Sequence, residues 1–381
     1  MKIGFISHLD MNLYLFRLPV MKMLIGQGHT VYAITPLGKY SKELEKEGII
    51  VVGYSIERGS LNPIKELKAL ISIYRAISGL NLDVLHTFMA KPNIYGTLAG
   101  RLVHIPVIVN TVTGLGSYFI DESIKSRLIS FFIKNLYRII FSISNGVIFQ
   151  NSDDQKYFED KSLIQSKKSF LVRSSGVDTT FFDIATIDEK KLDILRDELS
   201  LDGKQVVLMI ARAIWHKGIA EYVAAASLSK ELDAHFILVG GVDDGNPSSA
   251  SKEWLMAQKS IIWLGERNDI KELIAISSIV VLPSYREGVP RTLLEAASMR
   301  KALISTDTPG CTEVVEHEKN GLLVPIKNSV LLADAFQRLL GDEALREQFG
   351  EASRQKAVNE FDVNLVVKKY STVYYRLLKE I

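Results

Sequence analysis

Ile279-Val280-Val281-Leu282-Pro283-Ser284-Tyr285-Arg286-Glu287-Gly288-Val289-Pro290-Arg291-Thr292-Leu293-Leu294-Glu295-Ala296 decides how the chain reads. Ile279–Leu282 is a short apolar run, as expected of a strand buried on both faces. A turn follows, then a helical stretch. Pro290 suits the first helical turn, where its missing N–H would have had no partner. The N–H groups of Arg291, Thr292 and Leu293 then point beyond the strand end and make an anion pocket. Glu287 and Glu295, eight residues apart, stand on either side of it. A diphosphate with a sugar at each end fits this arrangement: phosphates on the helix terminus, a ribose diol on one Glu, a hexose on the other. A loop Glu followed by a solvated helix Glu would give the same spacing.

The same strand–helix unit recurs on both sides. Strands are predicted at Ile3–Ser7, Thr30–Thr35, Ile49–Tyr54, Val84–Phe88, Val107–Val112, Val147–Gln150 and Ser169–Arg173, then at Val206–Ile210, His235–Val239, Ile261–Leu264, Ile279–Leu282, Leu303–Thr306 and Leu322–Val324. Amphipathic stretches separate them, among them Leu13–Gly26, Pro63–Ser78, Pro92–Leu102, Ser123–Ser142 and Arg291–Met299. Two such series predict an α/β protein of two doubly wound, Rossmann-like domains facing a cleft, with ligands beyond the carboxyl ends of the strands. Ser174-Ser175-Gly176-Val177-Asp178 breaks the pattern, so the domains are expected at 1–172 and 173–362. A last helix, 363–381, follows; sequence alone does not show whether it returns to the first domain.

The 381 residues suit two domains, and 47% hydrophobic with 24% charged residues describes a folded chain. A lone cysteine, Cys311, excludes an internal disulfide framework and fits a reducing cytosol. Met1-Lys2 runs straight into a strand, so no signal peptide is expected, and no apolar run is long enough to predict a transmembrane helix. Charge is uneven: 20 Lys/Arg against 13 Asp/Glu up to Val172, then 26 against 31. A basic first half points to an anionic partner there, whether nucleic acid, phospholipid or phosphorylated substrate, unless the imbalance is an ordinary fluctuation. A nucleic-acid partner is not expected, because no aromatic stacking platform or recognised motif accompanies the charge.

Further candidates lie at strand ends. Arg212 and Lys217, in Met209-Ile210-Ala211-Arg212-Ala213-Ile214-Trp215-His216-Lys217-Gly218, could neutralise a diphosphate as its charge develops, or could be two surface cations. Gly240-Gly241 permits close backbone approach, and the loop after it offers Asn246, Ser248 or Ser249 to sugar hydroxyls. Asp243-Asp244 without a spaced third ligand is a poor metal site. In the first half no G-x-G-x-x-G follows the first strand, which argues against a dinucleotide site. His8 and His86 lie at strand ends, where each could reach the cleft or be structural, Lys91 opens the next helix, and Thr113-Gly114-Leu115-Gly116-Ser117 is either a turn or a place where a substrate meets backbone. In Ser123–Ser142 the apolar residues Phe131 and Phe132 are interspersed with Lys134 and Arg138, as in an interfacial helix beside anionic lipid or a core helix with a basic edge.

Taken together, Glu287-x7-Glu295, Arg212/Lys217, the early double glycine and the two-domain layout resemble family 4 of the retaining glycosyltransferases, of GT-B fold. Phe5-Ile6-Ser7-His8, Ser60-Leu61-Asn62-Pro63, Gly114-Leu115-Gly116-Ser117, the Val207–Gly218 stretch and Asn246-Pro247-Ser248 are closest to one branch. Its members move N-acetylgalactosamine from UDP to undecaprenyl-diphosphate-linked diacetylbacillosamine in bacterial N-glycan assembly. Related branches build O-antigen and capsule repeats with other hexoses. The resemblance implies Glu295 on the ribose and Glu287 on the donor hexose. It implies Arg212 and Lys217 on the diphosphate, and the segment Gly265–Ile270, with Arg267, beside the uracil. Gly241, Thr292 and Leu293 would complete the donor site, and His8, Lys91, Thr113, Gly114, Asn246 and Ser248 would face substrate. It implies no metal and no cofactor beyond the UDP-sugar co-substrate. The acceptor would be a polyprenyl-diphosphate-linked sugar. The location would be peripheral, on phospholipid at the cytoplasmic face of the inner membrane, beside other enzymes of the same glycan pathway. Many family members carry a His after the strand Val107–Val112, near Thr113 here. A UDP-sugar epimerase or a phosphorylase on the same plan, or a non-catalytic lipid- or sugar-nucleotide-binding module, are the rival readings.

Overall fold

Among the described residues of the computed structural model, thirteen strands, every one paired in parallel, form two separate sheets. It describes residues 1–57, 59–60, 62–114, 124–243, 245–246 and 248–380, with the backbone alone for 124–128. Leu61, Leu115, Gly116, Ser117, Ser123, Asp244 and Pro247, named above, lie outside the described residues.

The chain divides into a unit of residues 1–175 with 364–381 and a unit of residues 176–363. In the first, strands β1 (Lys2–Ile6), β2 (Thr30–Thr35), β3 (Ile50–Gly53), β4 (Val84–Phe88), β5 (Val107–Val112), β6 (Gly146–Phe149) and β7 (Ser169–Leu171) are ordered 3-2-1-4-5-6-7. In the second, β8 (Gln205–Ile210), β9 (Ala234–Val239), β10 (Ile262–Gly265), β11 (Ile279–Leu282), β12 (Ala302–Thr306) and β13 (Gly321–Val324) are ordered 10-9-8-11-12-13. Each sheet reverses direction once, between β1 and β4 and between β8 and β11, and a doubly wound sheet opens a ligand crevice beyond its strand ends at that reversal. The apolar runs form strands because helices cover both faces. Val84, Leu85, Val107, Ile108, Ile279 and Val281 are fully buried. Each such side chain contributes roughly 1.5–3 kcal/mol on leaving water.

The closing helix, Val363–Lys379, groups with the first unit. Its buried face carries Val366, Val367, Tyr370, Val373, Tyr374 and Leu377. Tyr374 meets the ring of His86, whose other nitrogen lies 2.6 Å from Thr111 Oγ1. Arg17 donates to the Tyr370 hydroxyl at 3.2 Å and stacks over the Phe88 ring at 4.4 Å. Burial, aided by the nearby Arg17 charge, holds His86 well below the ordinary imidazole value. It is therefore a neutral core residue that ties the last helix to β4, not a group open to solvent at the strand end.

Candidate active site

The reversal in the second sheet makes β8 and β11 neighbours, so the loops that leave them lie side by side. After β8 the chain turns through Trp215–Lys217 to Gly218, which takes φ +77° and starts the helix Ile219–Leu228. A Cβ there would stand 2.1 Å from the carbonyl oxygen of Pro283, so only glycine lets the two loops touch. Tyr285 N–H donates to His216 O at 2.9 Å across the same seam. This brings together two of the expected site residues. Lys217 forms an ion pair with Glu287, their side chains only 19% and 11% exposed. Ser284 Oγ donates to the same carboxylate oxygen at 2.6 Å. The low exposure makes this pair electrostatically stronger than a surface one. Beside it, burial pushes the His216 imidazole down and the Lys217 charge adds to that, while Glu287 opposes.

Glu295 lies on the helix Arg291–Ser298, which starts where expected, but Pro290 precedes its first turn and is not part of it. Pro290 stays extended (φ −73°, ψ 113°) and its carbonyl accepts from Leu294 N–H at 3.3 Å. Among the described residues no side chain caps this terminus. Thr292 and Leu293 occupy its first turn, with the Leu293 side chain in the core. Glu295 is buried and accepts from Arg291 Nε at 2.8 Å. Burial raises its carboxyl above the ordinary value, and the Arg291 guanidinium pulls it part of the way back.

Arg212 is half exposed and reaches Asp243 at 2.5 Å. Asn246 Nδ2 donates to the same Asp243 oxygen at 3.0 Å, and Asn246 Oδ1 accepts from Ser248 N–H at 3.0 Å. Ser248 O accepts from Trp215 N–H at 2.9 Å, so the loop after β9 is laced to the loop after β8. Asp243 is thereby occupied as an ion-pair partner. Among the described residues no group of three or more His, Cys, Asp or Glu is placed to hold a metal ion.

Several expected residues are used differently. Of the two glycines, Gly240 carries the constraint, not Gly241. It takes φ +141°, and a Cβ on it would lie 1.9 Å from Ala211 O. A Cβ on Gly241 would meet the movable Glu266 side chain. Gly265 takes φ +67° and faces open space. Arg267 is gripped by Asp269, at 2.8 and 2.6 Å, and by Glu198 at 2.8 Å, so its fork is committed to carboxylates. In the first unit the three donors of Lys91 go to Glu57 O, Ser60 O and Glu66 Oε1, each at 2.7 Å. It braces the loop before the helix Pro63–Ile77 and is not an open cation. His8 follows β1 at the reversal of that sheet, Thr113 and Gly114 follow β5, and Met89 after β4 takes φ +74° with ψ 163°. That backbone region is nearly confined to glycine and costs about 1–3 kcal/mol. Strain at a crevice of this kind clusters at functional sites.

Sequence reasoning missed Ser284, Glu221 and Gly310. Glu221 accepts from the Tyr285 hydroxyl at 2.7 Å. Gly310, at φ +82°, lies under the Glu287 loop, and Glu287 N–H donates to Pro309 O at 3.1 Å. The Thr308-Pro309-Gly310 turn after β12 was a visible signal.

On the helix Ile124–Ile143, Tyr137, Ile140 and Phe141 are buried, while Phe131, Phe132, Leu136 and Ile139 are exposed. Lys134 lies over the Tyr157 ring at 5.4 Å, and Arg138 donates to Lys161 O and Ser162 O at 3.4 Å. The helix thus has a core face and a second apolar face directed outward. Among the described residues no helix is long and apolar enough to cross a membrane.

Residues 191–356 match the family model described as Glycosyl transferases group 1, and residues 2–151 match Glycosyl transferase 4-like. The chain is 36% identical over 381 residues, 100% of both chains, to the N,N'-diacetylbacillosaminyl-diphospho-undecaprenol alpha-1,3-N-acetylgalactosaminyltransferase of Campylobacter jejuni. It is 27% identical over 321 residues, 83% of this chain and 81% of the other, to the UDP-Gal:alpha-D-GlcNAc-diphosphoundecaprenol alpha-1,3-galactosyltransferase of Escherichia coli. Among solved structures, a glycosyltransferase from Rickettsia africae superposes with a TM-score of 0.81 at 24% identity, over 100% of this chain and 99% of that one. Anabaena HepE in complex with UDP and glucose gives 0.80 at 19%, over 99% and 100%. Both share the fold.

Proposed function

This chain belongs to the family 4 glycosyltransferases of GT-B fold, and from that premise we propose that it moves N-acetylgalactosamine from UDP-N-acetylgalactosamine to undecaprenyl-diphosphate-linked diacetylbacillosamine, forming an α-1,3 bond with retention. The observation that carries the reading is the 36% identity across the whole length of both chains to the enzyme named for that reaction. The buried Lys217–Glu287 pair at the reversal of the second sheet supplies suitable chemistry. Lys217 and Arg212 neutralise the departing diphosphate, Glu287 accepts from donor hexose hydroxyls, and Glu295 accepts from the ribose diol. Gly265, with open space where a Cβ would stand, lets backbone approach the nucleotide. The anomeric C–O bond to phosphate breaks as the bond to the acceptor oxygen forms on the same face. The acceptor proton passes to the leaving diphosphate, with Thr113 standing where many relatives have an imidazole. Two protein cations take the part that a divalent metal plays elsewhere.

A UDP-release assay across several UDP-sugars tests this. Release is expected with UDP-N-acetylgalactosamine only when the undecaprenyl-diphosphate acceptor is present, and at the same rate in EDTA. Preference for another sugar, or consumption of donor without acceptor, would refute the assignment.

The acceptor's lipid calls for a peripheral membrane position, at the inner face of a bacterial membrane, and the outward face of the Ile124–Ile143 helix is suited to it. Phe131→Ser with Phe132→Ser is expected to lower partition onto membranes at least about tenfold, because fully burying one such side chain contributes roughly 1.5–3 kcal/mol. Both side chains are exposed, so the melting temperature should hold. Unchanged sedimentation with membranes would count against this face.

A further inference from the structure

The helix Pro63–Ile77 has two apolar faces. Ala69, Ile73 and Ile77 are buried against the first sheet, while Ile64, Leu67, Ile71 and Tyr74 form an exposed stripe at helical spacing, with Ile64 67% and Leu67 57% exposed. Lys68 and Arg75 flank the stripe, seven residues apart. Together with Gly53, Ile71, Ser72 and Ala76 they line a cavity of about 560 Å³ beside the edge strand β3. Among the described residues no acid lines that cavity. The acids nearby are engaged: Glu57 pairs with Lys65 at 2.8 Å, and Glu66 accepts from Lys91 and from the Tyr95 hydroxyl, each at 2.7 Å. Among the described residues neither Lys68 nor Arg75 has a carboxylate partner. An exposed apolar stripe beside two uncompensated cations is complementary to an anionic lipid surface.

The position of the helix supports the same occupant. The helix Ala90–Leu102 packs against Pro63–Ile77 on one side and Ile124–Ile143 on the other, so the three form one layer over the sheet. Leu102, the last residue of the middle helix, is exposed as well. Resting on the membrane reading given above, we propose that the Pro63–Ile77 helix is a second phospholipid contact. Ile64, Leu67, Ile71 and Tyr74 enter the boundary between headgroups and acyl chains, and Lys68 and Arg75 hold headgroup phosphates of anionic lipid. Two separated contacts on one layer fix the tilt of the acceptor-binding unit over the bilayer, which a single helix would leave free to roll.

The test is sedimentation of the full-length protein with vesicles of pure phosphatidylcholine and with vesicles containing phosphatidylglycerol. Lys68→Gln with Arg75→Gln is expected to weaken binding to the anionic vesicles about thirtyfold, from two basic residues at about 1 kcal/mol each, and to change binding to neutral vesicles less than about twofold. Leu67→Ser with Tyr74→Ser should weaken binding to both vesicle types. Turnover of a short-chain, water-soluble acceptor should stay at the wild-type rate in both double variants, because none of these four residues is placed in the transfer site. Wild-type-like binding by both variants, while Phe131→Ser with Phe132→Ser detaches the protein, would overturn this inference and leave the first contact standing. Equal losses on neutral and anionic vesicles for the charge variant would overturn the headgroup role. If the wild-type protein binds neither vesicle type, the inference falls together with the membrane reading beneath it, whereas the sugar-transfer reading is decided by the UDP-release assay.

Discussion

Lys217→Ala is expected to lower kcat/KM for N-acetylgalactosamine transfer by about 10²–10³, the range for losing one preorganised charge stabiliser. The Gly218 turn and the His216–Tyr285 backbone bond fix the backbone of Lys217 at the end of β8 and Glu287 holds its ammonium, so in the proposed role it would need little reorganisation as charge develops on the leaving phosphate. A group of that kind acts chiefly in the transition state. The loss should therefore appear in kcat and kcat/KM alike, with the donor KM changed little. A competing explanation is that the lysine only neutralises Glu287, whose carboxylate would otherwise be left mostly buried without a cation. That explanation predicts a lower melting temperature and recovery of turnover in Lys217→Ala with Glu287→Gln. Transition-state stabilisation predicts no recovery. Arg212→Ala should act in the same direction. Near-wild-type turnover by Lys217→Ala would remove the residue from the chemistry.

The legible parts of this chain were those whose neighbours are implied by their own pattern. β11 was readable to the residue because a strand covered on both faces is a near-continuous apolar run, and β4 and β5 were readable from their leading Val84-Leu85 and Val107-Ile108-Val109, although each also buries polar residues, His86 and Thr87 in one and Asn110 and Thr111 in the other. The helices Ser41–Lys46, Ser152–Asp160 and Glu189–Glu198 were not, since most of their residues face water and carry little apolar periodicity. The starts of the last two are nevertheless written in side chains: Asn151 accepts from Asp154 N–H at 2.7 Å, and Asp188 caps Lys190 N–H at 3.1 Å. In the site, the turn chemistry around Glu287 and Lys217 was visible, but their pairing across 70 residues follows only from β8 lying beside β11. His86 and Lys91 show the converse. His86 lies near the end of β4 and Lys91 in the first turn of the helix that follows, where ligand-binding residues would stand, and each is already occupied by a distant partner, Tyr374 in one case and Glu66 in the other. Position along the chain suggests what a polar side chain could do, and the tertiary partner decides whether it is at liberty to do it.

Gly310→Ala should be nearly as damaging to transfer as loss of the lysine, although residue 310 carries no chemistry. The glycine adopts φ +82°, and a Cβ there would lie 2.4 Å from Gly288 O and 2.5 Å from Glu287 O. Both obstacles are backbone atoms, so no side chain can swing away. The left-handed backbone adds about 1–2 kcal/mol for any residue with a Cβ. The chain can relieve the overlap by moving the 287–288 backbone outward, which breaks the bond from Glu287 N–H to Pro309 O and shifts the carboxylate away from Lys217 and Ser284. A displacement of about 1 Å in a positioned group costs on the order of 10²-fold in rate, and that is the fall expected in kcat/KM. Most of the second unit's core lies away from this turn, so the far-UV spectrum should be retained, with a melting temperature lower by about 2–4 °C per kcal/mol of strain. Turnover and melting measured on the same preparation test the idea. An alanine variant with wild-type kcat/KM would mean that the transfer step does not depend on where the Glu287 loop sits.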